Sequence, residues 1–181
     1  MINLEPIIKL RESRREAEAL SQQLRHSSSV FMQLRRWIFG LSMFSALSME
    51  FISLYQMGII PHLPDPPLLH IDSDAIDASP TAYEKLETPD AVLGMVNYGV
   101  TMMLAAMGAP NRAETQPWIP LALVAKTGFD TYQAGKLYFT QRGKKVYCIY
   151  CILAASATAL TVPLALPEAY KAVGNLIERI F

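Results

Sequence analysis

Four long apolar stretches, separated by polar connections, set the pattern of this chain. They run over Trp37–Ile60, Ala91–Ala109, Trp118–Phe139 and Val146–Leu166. Each is close to the roughly 20 residues that a helix needs to cross a hydrocarbon core. Aromatic residues stand near their ends (Trp37, Tyr55, Trp118, Tyr138, Phe139, Tyr147), as expected where a helix meets lipid headgroups. The pattern predicts an all-α, integral membrane four-helix bundle over residues 37–166. Ahead of it, residues 1–36 read as a polar, cytoplasmic or interface-lying amphipathic helix, with Ile7, Leu10, Ala17 and Leu24 at roughly helical spacing. Behind it, residues 167–181 read as a short amphipathic tail helix with Ala172, Leu176 and Ile180 on one face. No internal repeat is visible.

Composition supports a membrane protein. Of 181 residues, 51% are apolar and 18% charged, below the roughly 25% charged share of soluble proteins. The net charge is zero, but the charges are segregated. Residues 1–36 hold seven basic side chains against four acidic ones, and residues 61–90 hold seven acidic side chains against Lys85 alone. Basic residues favour the cytoplasmic side, so the N-terminus is placed inside and the long 61–90 loop outside. Arg142, Lys144 and Lys145 oppose that assignment and are outweighed by the seven basic residues preceding the first span. The first 36 residues lack the apolar core of a cleavable signal, so the first span is expected to stay as an anchor. No basic stretch interleaved with aromatics points to nucleic acid.

The cysteines number two, Cys148 and Cys151, in a Cys-Ile-Tyr-Cys motif opening the last span. The start of a helix favours the thiolate through its free N–H groups and dipole, and the thiolate is the attacking species in disulfide exchange. A redox pair is one reading and an inert packed pair another. A zinc site would need a second Cys or His pair, which is missing, so no metal is expected. Lys126 and Asp130, four apart on one face of the third span, invite grouping with Glu50 of the first. That cluster would be either a proton path or a structural polar clasp. The loop beginning His62-Leu-Pro-Asp-Pro-Pro is long enough to act as a lid over the outer end. Its run Asp72-Ser-Asp74-Ala-Ile-Asp77 lacks the glycine and closing glutamate of a calcium loop.

These features together resemble the vitamin K epoxide reductase family. The resemblance rests on Pro89-Asp-Ala-Val-Leu-Gly94 followed by Tyr98, on Gly128 followed by Tyr132, and on Cys148-Ile-Tyr-Cys151-Ile, all within residues 37–166. It implies a membrane oxidoreductase whose C-x-x-C exchanges electrons with a quinone, menaquinone or ubiquinone, in a bacterial inner membrane. By the same resemblance Cys151 would face the quinone and Cys148 would exchange thiols, with Asp90, Tyr98 and Tyr132 as quinone-contacting positions. The family's relay cysteines in the outer loop are absent here, Ala155 stands where a tyrosine is often found, and Asp90 replaces an asparagine. A separate thioredoxin-like periplasmic protein would then have to meet the pair directly. The same departures leave open a non-catalytic accessory subunit of a larger respiratory or photosynthetic membrane complex. A small transporter built on Glu50, Lys126 and Asp130 is the weakest reading, since no inverted repeat exists.

Overall fold

The computed structural model describes residues 5–67 and 70–180, and its regular secondary structure is helical. Helix α1 (Glu5–His26) lies largely exposed and leads through a three-residue break into α2 (Val30–Gln56). Ser29 caps α2 by accepting from the Met32 N–H at 3.3 Å. Arg36 reaches back to the carbonyls of Leu24 (2.8 Å) and Arg25 (3.3 Å), which lack partners at the end of α1. Two small helices follow in the connection, α3 (Ser73–Asp77) and a 3₁₀ turn (Pro80–Tyr83). The remaining elements are α4 (Asp90–Ala106), α5 (Arg112–Thr115), α6 (Trp118–Lys144) and α7 (Ile149–Ile180).

Helix α2 packs on both α4 and α7, and α6 packs chiefly on α7. Its buried positions, including Arg35, Ile38, Ser42, Ser45 and Ile52, recur every three to four residues. Phe39, Met43, Phe44, Leu47 and Phe51 point outward. Small residues let the helices approach closely. At Gly94, a Cβ would come within 3.0 Å of the Met49 side chain, so that position accommodates the α2–α4 crossing. One apolar core joins Ile38, Ala105, Leu123 and Ala165, and a second, nearer the connection, joins Ile52, Ala91 and Cys148.

Two helices among the described residues, α2 and α7, are long and apolar enough to cross a bilayer. Helix α4 is apolar but has only 17 residues, and α6 is long but carries Lys126, Asp130 and Lys136. The end of the chain departs from expectation. The tail at 167–180 is no separate helix, because α7 continues for 32 residues through Pro163 and Pro167. A proline removes one backbone hydrogen bond and crowds the preceding turn. Tertiary contacts hold the helix beyond it: Asn175 donates to the Ala113 carbonyl at 3.1 Å, Lys171 pairs with Glu114 at 2.6 Å, and Arg179 donates to the Glu114 carbonyl.

Gly108 turns the chain between α4 and α5 at φ +81°. A Cβ there would meet Gln116 Oε1 at 3.1 Å and Arg112 Cβ at 3.2 Å. Gly108→Ala is therefore expected to lower stability by about 1–2 kcal/mol, read as a reduced melting temperature in detergent.

Candidate active site: a thiol pair, a buried carboxyl and a cavity

The last connection before α7 decides the setting of the thiol pair. Helix α6 ends at Lys144, Lys145 takes a left-handed conformation (φ 56°), and the chain turns back toward α7. Tyr147 then pairs with the 61–90 loop. Its N–H donates to the His70 carbonyl at 2.8 Å, and its carbonyl accepts from the Asp72 N–H at 3.0 Å. Cys148 immediately precedes the helix. Its sulfur accepts from the Cys151 N–H at 3.1 Å, taking the position of a helix cap. Its own N–H donates to Gln141 Oε1 (3.3 Å), and the Ile149 N–H donates to Ser73 Oγ (3.2 Å). Both cysteines are free thiols.

The two sulfurs differ in access. Cys148 is 0% exposed and packs with Ile52 and Ala91, and residues 70–73 bond to its two neighbours, Tyr147 and Ile149. Cys151 lines a cavity of about 530 Å³ bounded by α2, α4, α6 and α7, which also exposes Asp90, Asn97, Tyr98 and Asp130. On its other side Cys151 borders a smaller, mainly apolar cavity of about 270 Å³ between α6 and α7. Direct contact between an external protein and Cys148, as the sequence suggested, is closed off in this conformation. The sulfur that would have to react is buried.

The carboxyl beside the pair was not anticipated. Asp77, at the end of α3, is 3% exposed and brings Oδ1 to 3.8 Å from Cys151 Sγ, while its Oδ2 has no hydrogen-bond partner. Asp77 and both sulfurs lie within 4.8 Å of one another. Three donors are one short of a closed tetrahedral zinc site. Burial raises the Asp77 pKa to about 7, and the neighbouring Asp90 and Asp65 add to the rise while hydrogen bonds from the thiols oppose it. A folded-state pKa above the unfolded value of 3.8 means that the protonated carboxyl favours folding. That contribution is full below the unfolded value and is lost as pH rises through about 7. Melting in detergent between pH 5 and 8 should show stability falling with pH by on the order of 3 kcal/mol, with Asp77→Asn flattening the slope.

The other aspartates of the connection have structural partners. Asp65 accepts from Ser73 N (2.7 Å) and Oγ (2.6 Å). Asp72 caps α3 through the Ala75 N–H at 2.9 Å, and Asp74 accepts from the Leu63 N–H (2.9 Å) and His62 Nδ1 (2.8 Å). Gln56 donates to Asp90 Oδ1 (2.8 Å) and to the Asp77 carbonyl (3.1 Å). Tyr150 donates to the Pro64 carbonyl at 2.8 Å, tying the proline-rich segment to the first turn of α7. The acidic run is therefore an anchoring network, with Asp77 as its exception.

Of the quinone-contacting positions drawn from the resemblance, Asp90 and Tyr98 line the larger cavity, and Tyr98 lies 3.2 Å from Thr158 Oγ1. Tyr132 does not join them. It is 63% exposed, with the Lys136 ammonium 5.7 Å from its ring. The polar cluster also changes membership. Lys126 pairs with Asp130 at 2.5 Å and donates to Asn97 Oδ1 at 2.8 Å and Thr101 Oγ1 at 3.3 Å. Glu50 is excluded, because it lies one turn from Leu47 and two from Met43 on the exposed apolar face of α2. Its place is taken by Asn97 and Thr101, uncharged residues that carry no charge-pair signal in the sequence.

A sequence profile described as the vitamin K epoxide reductase family matches residues 36–166, which include both cysteines, the cavity and the outer connection. No match was found among curated proteins, and none among solved structures. The chain belongs to the vitamin K epoxide reductase family, a family of membrane-embedded redox proteins that act on quinones.

Proposed function

We propose that the protein is a quinone-linked thiol–disulfide oxidoreductase, with Cys148 and Cys151 as its redox pair. The observation that carries this reading is Cys151, which opens onto a cavity of about 530 Å³ with a few convergent polar groups. That volume falls within the range of small-molecule sites. A quinone ring, of the menaquinone or ubiquinone type, would sit against Cys151 near Asp90 and Tyr98. Two thiols and one quinone would give a disulfide and a quinol, with two electrons and two protons transferred. A separate dithiol protein of thioredoxin-like type would recharge the pair. Because Cys148 is buried, that exchange requires the pairing of residues 70–72 with Tyr147 to open locally.

In this reading α2, α4, α6 and α7 form a four-helix transmembrane domain over residues 37–166 in a bacterial plasma membrane. The N-terminus is cytoplasmic, α1 lies at the interface and the 61–90 connection is periplasmic. The burial of Cys148 also favours a second reading, a non-catalytic subunit of a larger membrane complex. Reconstitution in lipid nanodiscs with a soluble quinone analogue and dithiothreitol separates the two. Quinol formation well above a protein-free control supports the enzyme, and a rate equal to that control rejects it.

A further inference from the structure

We propose that Asp77 is a catalytic proton acceptor for Cys151, an assignment that rests on the redox reading above. Its placement is specific. Asp77 Oδ1 is 3.8 Å from Cys151 Sγ, the carboxyl is buried, and Oδ2 is without a partner. Buried polar atoms are nearly always hydrogen-bonded, and Asp65, Asp72, Asp74 and Asp90 of the same region all are. Asp77 makes no ion pair among the described residues. Asp77 and Cys151 both line the larger cavity, so the carboxyl and the reactive sulfur border one space. The backbone is held independently of the carboxyl, since Gln56 donates to the Asp77 carbonyl and the Ala78 N–H closes α3 onto Asp74. The side chain is thus free to gain or lose a proton without releasing its helix.

The charged and titratable groups around it come from every side. They are Asp65 and Lys85 from the connection, Asp90 and Tyr98 from α4, Asp130 and Lys136 from α6, Cys148 and Cys151 from α7, and Tyr55 from α2, which also contributes the neutral Gln56. With its pKa near 7, the carboxyl is present in both forms at neutral pH, as a proton carrier requires.

In the reduced protein, the Asp77 carboxylate takes the Cys151 proton, so an S–H bond breaks and an O–H bond forms. The thiolate supplies an electron pair to the quinone, and Cys148 closes the S–S bond, releasing its own proton. The quinone gains two electrons and two protons and leaves as quinol. One of those protons is the one held by Asp77, which returns to the carboxylate form.

The test compares the parent protein, Asp77→Asn and Asp77→Glu in nanodiscs with a soluble quinone analogue and dithiothreitol. The parent rate should rise with pH through an inflection near 7. Asp77→Asn should lose that inflection and fall about 100-fold at pH 7, and Asp77→Glu should recover part of the rate. A second readout needs no quinone. The infrared difference between dithiothreitol-reduced and oxidised protein should contain a carboxylic C=O band that disappears in Asp77→Asn and shifts in Asp77→Glu. An active parent whose rate, inflection and infrared difference all survive Asp77→Asn would overturn the assignment. An inactive parent would defeat the quinone reading instead, while the infrared band still decides whether Asp77 exchanges a proton with the pair. If Asp77→Asn does not fold, the parent's band and its shift in Asp77→Glu decide the matter, and absence of both overturns the assignment.

Discussion

Cys151→Ser is expected to reduce dithiol-driven quinone reduction at least about 1,000-fold, to the level of the uncatalysed reaction. A serine hydroxyl can neither form a disulfide nor deliver the electron pair that a thiolate does. Cys148→Ser should stop turnover as completely, because no disulfide can close, yet the two variants should differ in labelling. In Cys148→Ser the remaining Cys151 opens to a cavity and should react with a small maleimide in the folded protein. In Cys151→Ser the remaining Cys148 is 0% exposed and should react only after denaturation. Equal labelling of both variants under native conditions would show that Cys148 is uncovered in solution.

Glu168→Ala should lower stability by about 3–5 kcal/mol, measured by thermal or denaturant unfolding in micelles. Arg112 is 0% exposed and grips Glu168 through two parallel bonds, Nε to Oε1 at 3.0 Å and Nη2 to Oε2 at 2.7 Å. Its remaining nitrogen donates to the carbonyls of Leu104 and Met107, both at 2.6 Å, which close the end of α4. Arg35 of α2 joins from the other side, donating to the Gly108 carbonyl at 2.8 Å and lying 4.0 Å from Glu168. This clasp connects α2, α4, α5 and the far half of α7. Removing the carboxylate leaves two buried guanidinium groups facing each other without a counter-charge. Pairing Glu168→Met with Arg112→Met should cost less than either single change, because no unpaired charge then remains on that bond.

Much of the helical outline was legible in the residues because it depends on local periodicity. Apolar runs mark both ends of α4 and the start of α6 to within three residues, since the pattern acts over single turns. The early start of α2 at Val30 was missed, as Gln33, Arg35 and Arg36 interrupt the apolar run there. The end of α7 was misjudged for a similar reason. Prolines at 163 and 167 are local stop signals, but the Arg112–Glu168 pair and the contacts of Lys171 and Asn175 carry the helix past them.

The site shows the same division. A C-x-x-C motif is visible by spacing alone, and so is Lys126 four residues before Asp130. Glu50 was grouped with them by similar depth, but rotation about the helix axis sets which face is buried, and it turned Glu50 outward. Asp77 had no sequence signal to separate it from Asp65, Asp72 and Asp74, because all four look alike in an acidic loop. What distinguishes it is a buried oxygen left unpartnered beside the Cys151 thiol, a setting that exists only after the loop has folded back on α7. The residues by themselves therefore determined the helical class, the family and the thiol pair, all of which are written in short-range pattern. The folded chain alone decided which sulfur meets the cavity, which is sealed, and which carboxyl stands beside them. Those outcomes depend on contacts between segments more than 70 residues apart, such as Ile149 with Ser73 and Cys151 with Asp77.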